Sequence, residues 1–176
     1  MNHHAMKEAV PRAMEVFFDY ACPYCYEAHK HLAALTGKYP KVAIQWRPCE
    51  AHPRPERYGP HSDLCIRGMF FARDNGADIW AYHDLMYRAA LVNRVQIEDA
   101  AVLSKAVDGL LDAEVFHASL RRGDYQDALA WANGHAYEHS GVWAVPAYRA
   151  GGRRLDAIED IGVTRAQLEA FLQAIR

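Results

Sequence analysis

The sequence predicts an α/β fold: a split four-stranded sheet, ordered β-α-β and then β-β-α, with an all-helical domain inserted between the halves. Three observations predict it. An alternating β-branched and aromatic run (Val16, Phe17, Phe18, Tyr20) passes directly into helix formers after Pro23. From Ser62 to Ser140 the pattern is helical, with caps and no convincing strand. Two short strand-like runs joined by Gly151-Gly152 then precede a last amphipathic helix.

The first strand, expected over residues 14–20, leads into Cys22-Pro23-Tyr24-Cys25. Pro23 suits a first helical position, where the donor it lacks would be unpaired anyway, so Cys22 is expected at a helix N-terminus. The unpaired N–H groups and the positive dipole end favour an anion there, which a thiolate supplies. Three residues on, Cys25 shares the helical face and lies within disulfide reach, and Pro23 and Tyr24 tune how readily the disulfide is reduced. Two cysteines at this spacing also make half a zinc site, and free cysteines are often small core residues. The order strand, CxxC, helix favours a redox pair in which Cys22 attacks and Cys25 resolves. Cys49 and Cys65 are isolated, and no metal site is expected.

The first helix continues through Ala28, Leu32 and Leu35 and stops near Gly37. His29, four residues after Cys25, reads as a partly solvated surface histidine. Residues 41–48 alternate Val42, Ile44 and Trp46 with polar partners, which gives a second strand, parallel to the first by a right-handed crossover. Chemistry in such sheets sits beyond the carboxyl ends of the strands, so Cys49 should share an edge with Cys22. Residues 51–60, with three prolines, form an irregular loop.

In the insertion, Ser62 is expected to cap a helix burying Leu64, Met69 and Phe70, and Asp78 opens another along Ile79, Tyr82, Leu85, Met86 and Ala89. Shorter helices follow over 97–107 and 112–122, and a fifth over 124–140. On the fifth, Trp131, His135 and His139 recur every four residues; with no nearby acidic third ligand, packing or surface is the stronger reading than metal binding. Trp80, Tyr82 and Tyr87 read as core aromatics, with a peptide groove as the alternative. The organisation is thus 14–61 with 141–176 as one domain, 62–140 as the helical insertion, and 1–13 as a separate N-terminal segment, disordered or left from cloning.

After the insertion, Val145-Pro146 leads into strands over 147–150 and 153–158, and Thr164 caps a helix burying Leu168, Phe171, Leu172 and Ile175. The 20 basic and 22 acidic side chains among 176 residues give a formal charge of −2, which offers no basic field for nucleic acid or anionic lipid. No run approaches the ~20 apolar residues that span a bilayer. Residues 1–13 carry no apolar run of signal-peptide length, so a cytoplasmic location is expected, or an exported one if a leader has been removed.

A strand ending in CPYC at a helix start, a WRP strand end, a helical insertion, and GVWAVPAY before a terminal hairpin and helix together resemble the DsbA-like branch of the thioredoxin superfamily. The resemblance runs from residue 14 to residue 176. It implies a thioredoxin-like fold and thiol–disulfide exchange with protein or small-molecule disulfides or thiols, served by a redox partner not identified by the sequence. It implies that Pro146 is cis and lies with Val145 beside Cys22 and Cys25, Val145 presenting its backbone to substrate. No cofactor is implied beyond the redox-active Cys22–Cys25 disulfide, with glutathione a candidate reductant.

Two features depart from the pattern. Pro-Tyr replaces the Pro-His of the strongly oxidising exported members, so a less oxidising couple is expected, with the Tyr24 hydroxyl placed to donate to Cys22. Cys49 stands where FrnE-like relatives tend to carry an aromatic residue; two free buried thiols are favoured over a Cys49–Cys65 bridge. Two rival functions stay open. Glutathione-dependent 2-hydroxychromene-2-carboxylate isomerases and kappa-type transferases look similar, but usually carry serine in place of Cys22 and lack the second cysteine. A peptide-holding chaperone with a vestigial CxxC is the non-enzymatic alternative.

Overall fold

The central strand pairs on both sides, and this sets where its carboxyl end delivers the CxxC. In the computed structural model, which describes residues 12–176, β1 (Arg12–Phe18) lies parallel to β2 (Val42–Pro48) and antiparallel to β3 (Ala147–Ala150). β4 (Arg153–Asp156) completes the order β2-β1-β3-β4. Most of the separate N-terminal segment, residues 1–11, lies outside the described residues. Its end does not: Arg12 and Ala13 already pair with Val42 and Ala43, so β1 starts two residues before the expected position and ends at Phe18 rather than Tyr20.

Side-chain alternation along β1 feeds two apolar clusters. Met14, Val16 and Phe18 join the main core, while Phe17 points to a smaller cluster with Cys49, Ala136, Val142 and Ala147. Helix α1 (Pro23–Leu35) makes the crossover to β2 and buries Cys25, Ala28, His29, Leu32 and Leu35. Helix α7 (Arg165–Ile175) buries Leu168, Phe171, Leu172 and Ile175 behind a full capping box at Thr164. Gly151 and Gly152 make the β3–β4 turn with φ of 53° and 79°, left-handed conformations that a side chain would strain. β4 stops at Asp156, short of the expected 158, because Ile158 instead bridges to Gly162.

The insertion comprises α2 (Asp63–Asp74), α3 (Ile79–Tyr87), α4 (Ala100–Ala106), α5 (Ala113–Arg122) and α6 (Gln126–Gly134). Asp78, Asp99 and Asp112 cap α3, α4 and α5 through their carboxylates. Ser62 does not cap α2: its side chain takes no N–H of that helix. α2 is buried from Cys65 to Ala72, and Leu64 only partly. Arg67 survives there because it donates to the carbonyls of Leu120 at 2.6 Å and Asp124 at 2.8 Å, at the end of α5. Single π-helical turns extend α3 (Arg88–Val92) and α6 (His135–His139). Insertion and sheet share one apolar core, in which Phe18 and Tyr20 meet Tyr87 at ring separations of 6.3 and 5.3 Å. Among the described residues no helix is long and apolar enough to cross a membrane.

Candidate active site

Because β1 ends at Phe18, the chain turns through Asp19–Ala21 and enters α1 with Cys22 as its N-cap and Pro23 first in the helix. Cys22 has extended backbone (φ −96°, ψ 115°), and its sulfur accepts the Cys25 backbone N–H at 3.3 Å. The Cys25 thiol also donates to it. These bonds, led by that thiol and joined by the backbone N–H groups of Cys25 and Tyr24, hold the Cys22 thiol below its ordinary value against partial burial and the charge of Asp19. Cys25 is only 2% exposed, and burial, with the Cys22 sulfur beside it, pushes its thiol well up. The two thiols are therefore shifted in opposite directions, Cys22 toward easier ionisation and Cys25 away from it.

The loop before β3 closes over this pair. Cys22 Sγ lies 3.8 Å from the Val145 carbonyl oxygen, and Pro146, buried, follows a cis peptide bond. A cavity of about 500 Å³ opens beside Cys22, walled by Pro23, Tyr24, Tyr137, Trp143 and Val145 among others. The structure thus brings Cys22, Pro23, Tyr24, Cys25 and Val145 to one place. The expected role of the Tyr24 hydroxyl is not what the geometry gives. Among the described residues no hydrogen bond joins that hydroxyl to Cys22; its ring lies against Gly162, where an added Cβ would sit 2.9 Å from Tyr24 Cδ1.

Asp19 is the residue that sequence reasoning missed. It is 3% exposed, accepts backbone N–H groups of Ala21 at 2.8 Å and Ala51 at 2.7 Å, and gives its own carbonyl to the Cys22 N–H at 3.2 Å. Burial pushes its carboxyl up. The available signal was an acid in an otherwise apolar run, FFDYAC. Tyr137, on the π turn of α6, reaches over the sheet edge and donates to the Glu50 carbonyl. No periodicity marks it.

Cys49 follows β2, its N–H donating to the Phe18 carbonyl at 2.9 Å, and burial pushes its thiol up to about 12. Cys49 and Cys65 are free, fully buried thiols in different apolar clusters. His29 is a correction: it is 6% exposed, not a surface residue, because α3 covers it and Asp84 takes its Nε2 at 2.9 Å. Tyr82 and Tyr87 are core, and Trp80 packs on Trp46 at 4.9 Å. His135 does have an acidic neighbour, Glu15 on β1, at 2.6 Å; its ring stacks between Trp131 at 4.8 Å and His139 at 5.3 Å. Among the described residues no three His, Cys, Asp or Glu side chains are grouped to hold a metal ion.

The family model for the DSBA-like thioredoxin domain matches residues 13–175. The chain belongs to that family. As a DSBA-like thioredoxin domain it is similar to a probable DsbA oxidoreductase from Streptomyces coelicolor at TM-score 0.79 and 17% identity, over 93% of this chain and 89% of that one. It is also similar to a 2-hydroxychromene-2-carboxylate isomerase, at TM-score 0.69 and 14% identity, over 92% and 93% of the two chains. In sequence it is 26% identical to the uncharacterized protein YwbO of Bacillus subtilis, over 77% of this chain and 84% of that protein. At these structural identities the likeness shows the shared fold.

Proposed function

We propose that this DSBA-like domain is a protein disulfide oxidoreductase whose reaction runs through a mixed disulfide on Cys22. The observation that carries the reading is the pairing of a thiol pushed down at the α1 N-cap with a buried thiol, pushed up, that donates to it. The Cys22 thiolate attacks one sulfur of a substrate disulfide. A Cys22–substrate S–S bond forms, the substrate S–S bond breaks, and the departing sulfur takes a proton from solvent. Once Cys22 is bonded, its negative charge no longer opposes ionisation of Cys25. Cys25 then loses its proton and attacks the Cys22 sulfur, closing the Cys22–Cys25 disulfide and expelling the second substrate thiol. Two electrons pass to the substrate, and the same steps reversed oxidise a substrate dithiol. A second thiol or disulfide compound must return the pair to its starting state, and reduced glutathione has the right chemistry to do so.

The surroundings support these roles. The Val145 carbonyl beside Cys22 offers backbone to an extended peptide, and buried Pro146 presents no N–H to the sulfurs. The isomerase alternative shares the fold but not the need for Cys25. Insulin reduction by dithiothreitol separates them: the wild-type chain should accelerate it, Cys22→Ser should abolish the acceleration, and Cys25→Ala should accumulate a substrate adduct on Cys22, seen by mass. Full multiple-turnover activity in Cys25→Ala would contradict the dithiol mechanism.

A further inference from the structure

Resting on the oxidoreductase reading, we infer that the substrate is a cysteine-bearing polypeptide segment laid across Cys22 in one sense, oriented by Arg94 at one end and Glu159 at the other. The cavity beside Cys22 adjoins a larger one of about 740 Å³ at the α1 N-terminus, and Ala21, Pro23 and Pro60 form walls of both. Each alone has the volume of a small-ligand site, so a small disulfide fills one and leaves the other empty. A chain can occupy both.

The walls suit such a chain. Trp143 and Tyr24 expose 69% and 39% of their surface on the Cys22 side, and Val92 exposes 56% on the other. Both π-helical turns contribute: Leu91 and Val92 from one line the larger groove, and Tyr137 from the other lines the smaller.

Charge gives the direction. In the larger groove Lys30 is paired with Glu27 at 2.5 Å, which leaves Arg94 as its uncompensated charge. In the smaller groove His52 is paired with Glu56 at 2.9 Å, and Asp19 is buried with both oxygens taken by backbone N–H groups. Glu159 remains, exposed. Among the described residues neither Arg94 nor Glu159 has an ion-pair partner. A segment with an acidic residue on the Arg94 side of its cysteine and a basic one on the Glu159 side is matched at both ends; the reverse arrangement meets like charge at both. Rim charges of this kind set orientation and encounter rate.

The test uses two peptides of identical composition, Glu-Gly-Cys-Gly-Lys and Lys-Gly-Cys-Gly-Glu, each blocked at its termini and carried as a mixed disulfide with a chromophoric thiol. Their equal net charge cancels long-range steering. At low salt the wild-type chain should favour one isomer in kcat/KM by about fivefold, as two exposed charge pairs allow. The preference should fade at about 0.5 M salt, and reverse in the double variant Arg94→Glu, Glu159→Arg. Because both peptides meet the same active fraction, the ratio is unaffected by how much variant folds. Equal rates in the wild type, or an unchanged ratio in the double variant, would overturn the orientation. A kcat/KM for glutathione disulfide above that of both peptides would assign the grooves to a small thiol instead. Turnover of uncharged hydroxyethyl disulfide with no isomer preference defeats this inference alone, whereas no turnover of any disulfide defeats the oxidoreductase reading with it.

Discussion

The backbone N–H of Ala51 donates to Asp19 Oδ2 at 2.7 Å, while Oδ1 of the same carboxylate takes the Ala21 N–H at 2.8 Å. One buried side chain therefore ties the turn that sets Cys22 to the loop that leaves β2, and places a negative charge that opposes ionisation of both Cys22 and Cys25. Asp19→Asn separates the two effects. An amide keeps one acceptor and turns a donor toward the other N–H, which costs about 1–3 kcal/mol of stability. It also removes the charge. The Cys22 thiol should ionise at lower pH than in the wild type, read as thiolate absorbance at 240 nm, while the urea midpoint falls. An unchanged thiol titration would show that Asp19 acts on the backbone alone.

Two buried histidines predict how stability responds to acid. His83 is fully buried, its Nδ1 shares a hydrogen bond with the Tyr20 hydroxyl at 2.8 Å, and burial pushes its pKa well below the ordinary value; burial also lowers that of His29, despite Asp84. A histidine whose folded pKa lies below its unfolded one contributes stability that is present above about pH 6.5 and lost as pH falls below it. Urea midpoints should therefore drop between pH 7.5 and pH 5.5. In His83→Gln, which keeps an acceptor for Tyr20, the drop should be shallower. An identical slope in the two proteins would count against His83 as a source.

Gly68, within α2, permits a close helix contact. A Cβ there would lie 2.2 Å from the Tyr82 hydroxyl oxygen and 2.8 Å from the Phe116 ring. Tyr82 cannot yield cheaply, since it is fully buried and donates to the Cys65 carbonyl at 2.7 Å. Gly68→Ala should destabilise by about 1–3 kcal/mol through overpacking, although alanine is the better helix former. For a chain of this size that lowers Tm by about 2–4 °C per kcal/mol. A Tm at or above that of the wild type would contradict the packing.

Cys49 and Cys65 sit in separate apolar clusters. After exposure of a Cys22→Ser, Cys25→Ser double variant to oxidant, denaturation should release two thiols per chain that react with Ellman's reagent. Release of none would mean that the two had bridged.

Much of this architecture was legible because it rests on local signals. Pro23 after Cys22, the aspartates at 78 and 112, and Gly151-Gly152 each dictate a cap or a turn without tertiary help, and the helices at 79 and 113 begin one residue after the aspartates that cap them; the helix expected from 97 begins only at 100, behind Asp99. What was illegible depends on neighbours distant in sequence. His29 looked solvated because nothing near it announces that α3 will cover it. Ser62 has the composition of a cap, but its hydroxyl is buried and takes no N–H of α2. Glu15 beside His135 and Tyr137 over Glu50 join residues 120 and 87 positions apart, beyond the reach of any periodic pattern. Asp19 could have been noticed, since an acid between Phe18 and Tyr20 in a buried run requires a partner.

The most direct test of the account is the pH dependence of alkylation by iodoacetamide, with the modified cysteine identified by peptide mapping. The account predicts a midpoint below the ordinary thiol value of 9.0, modification at Cys22, and no reaction of native Cys25, Cys49 or Cys65 in that range. A midpoint at or above 9.0 for Cys22, or label appearing first on Cys25, would contradict it.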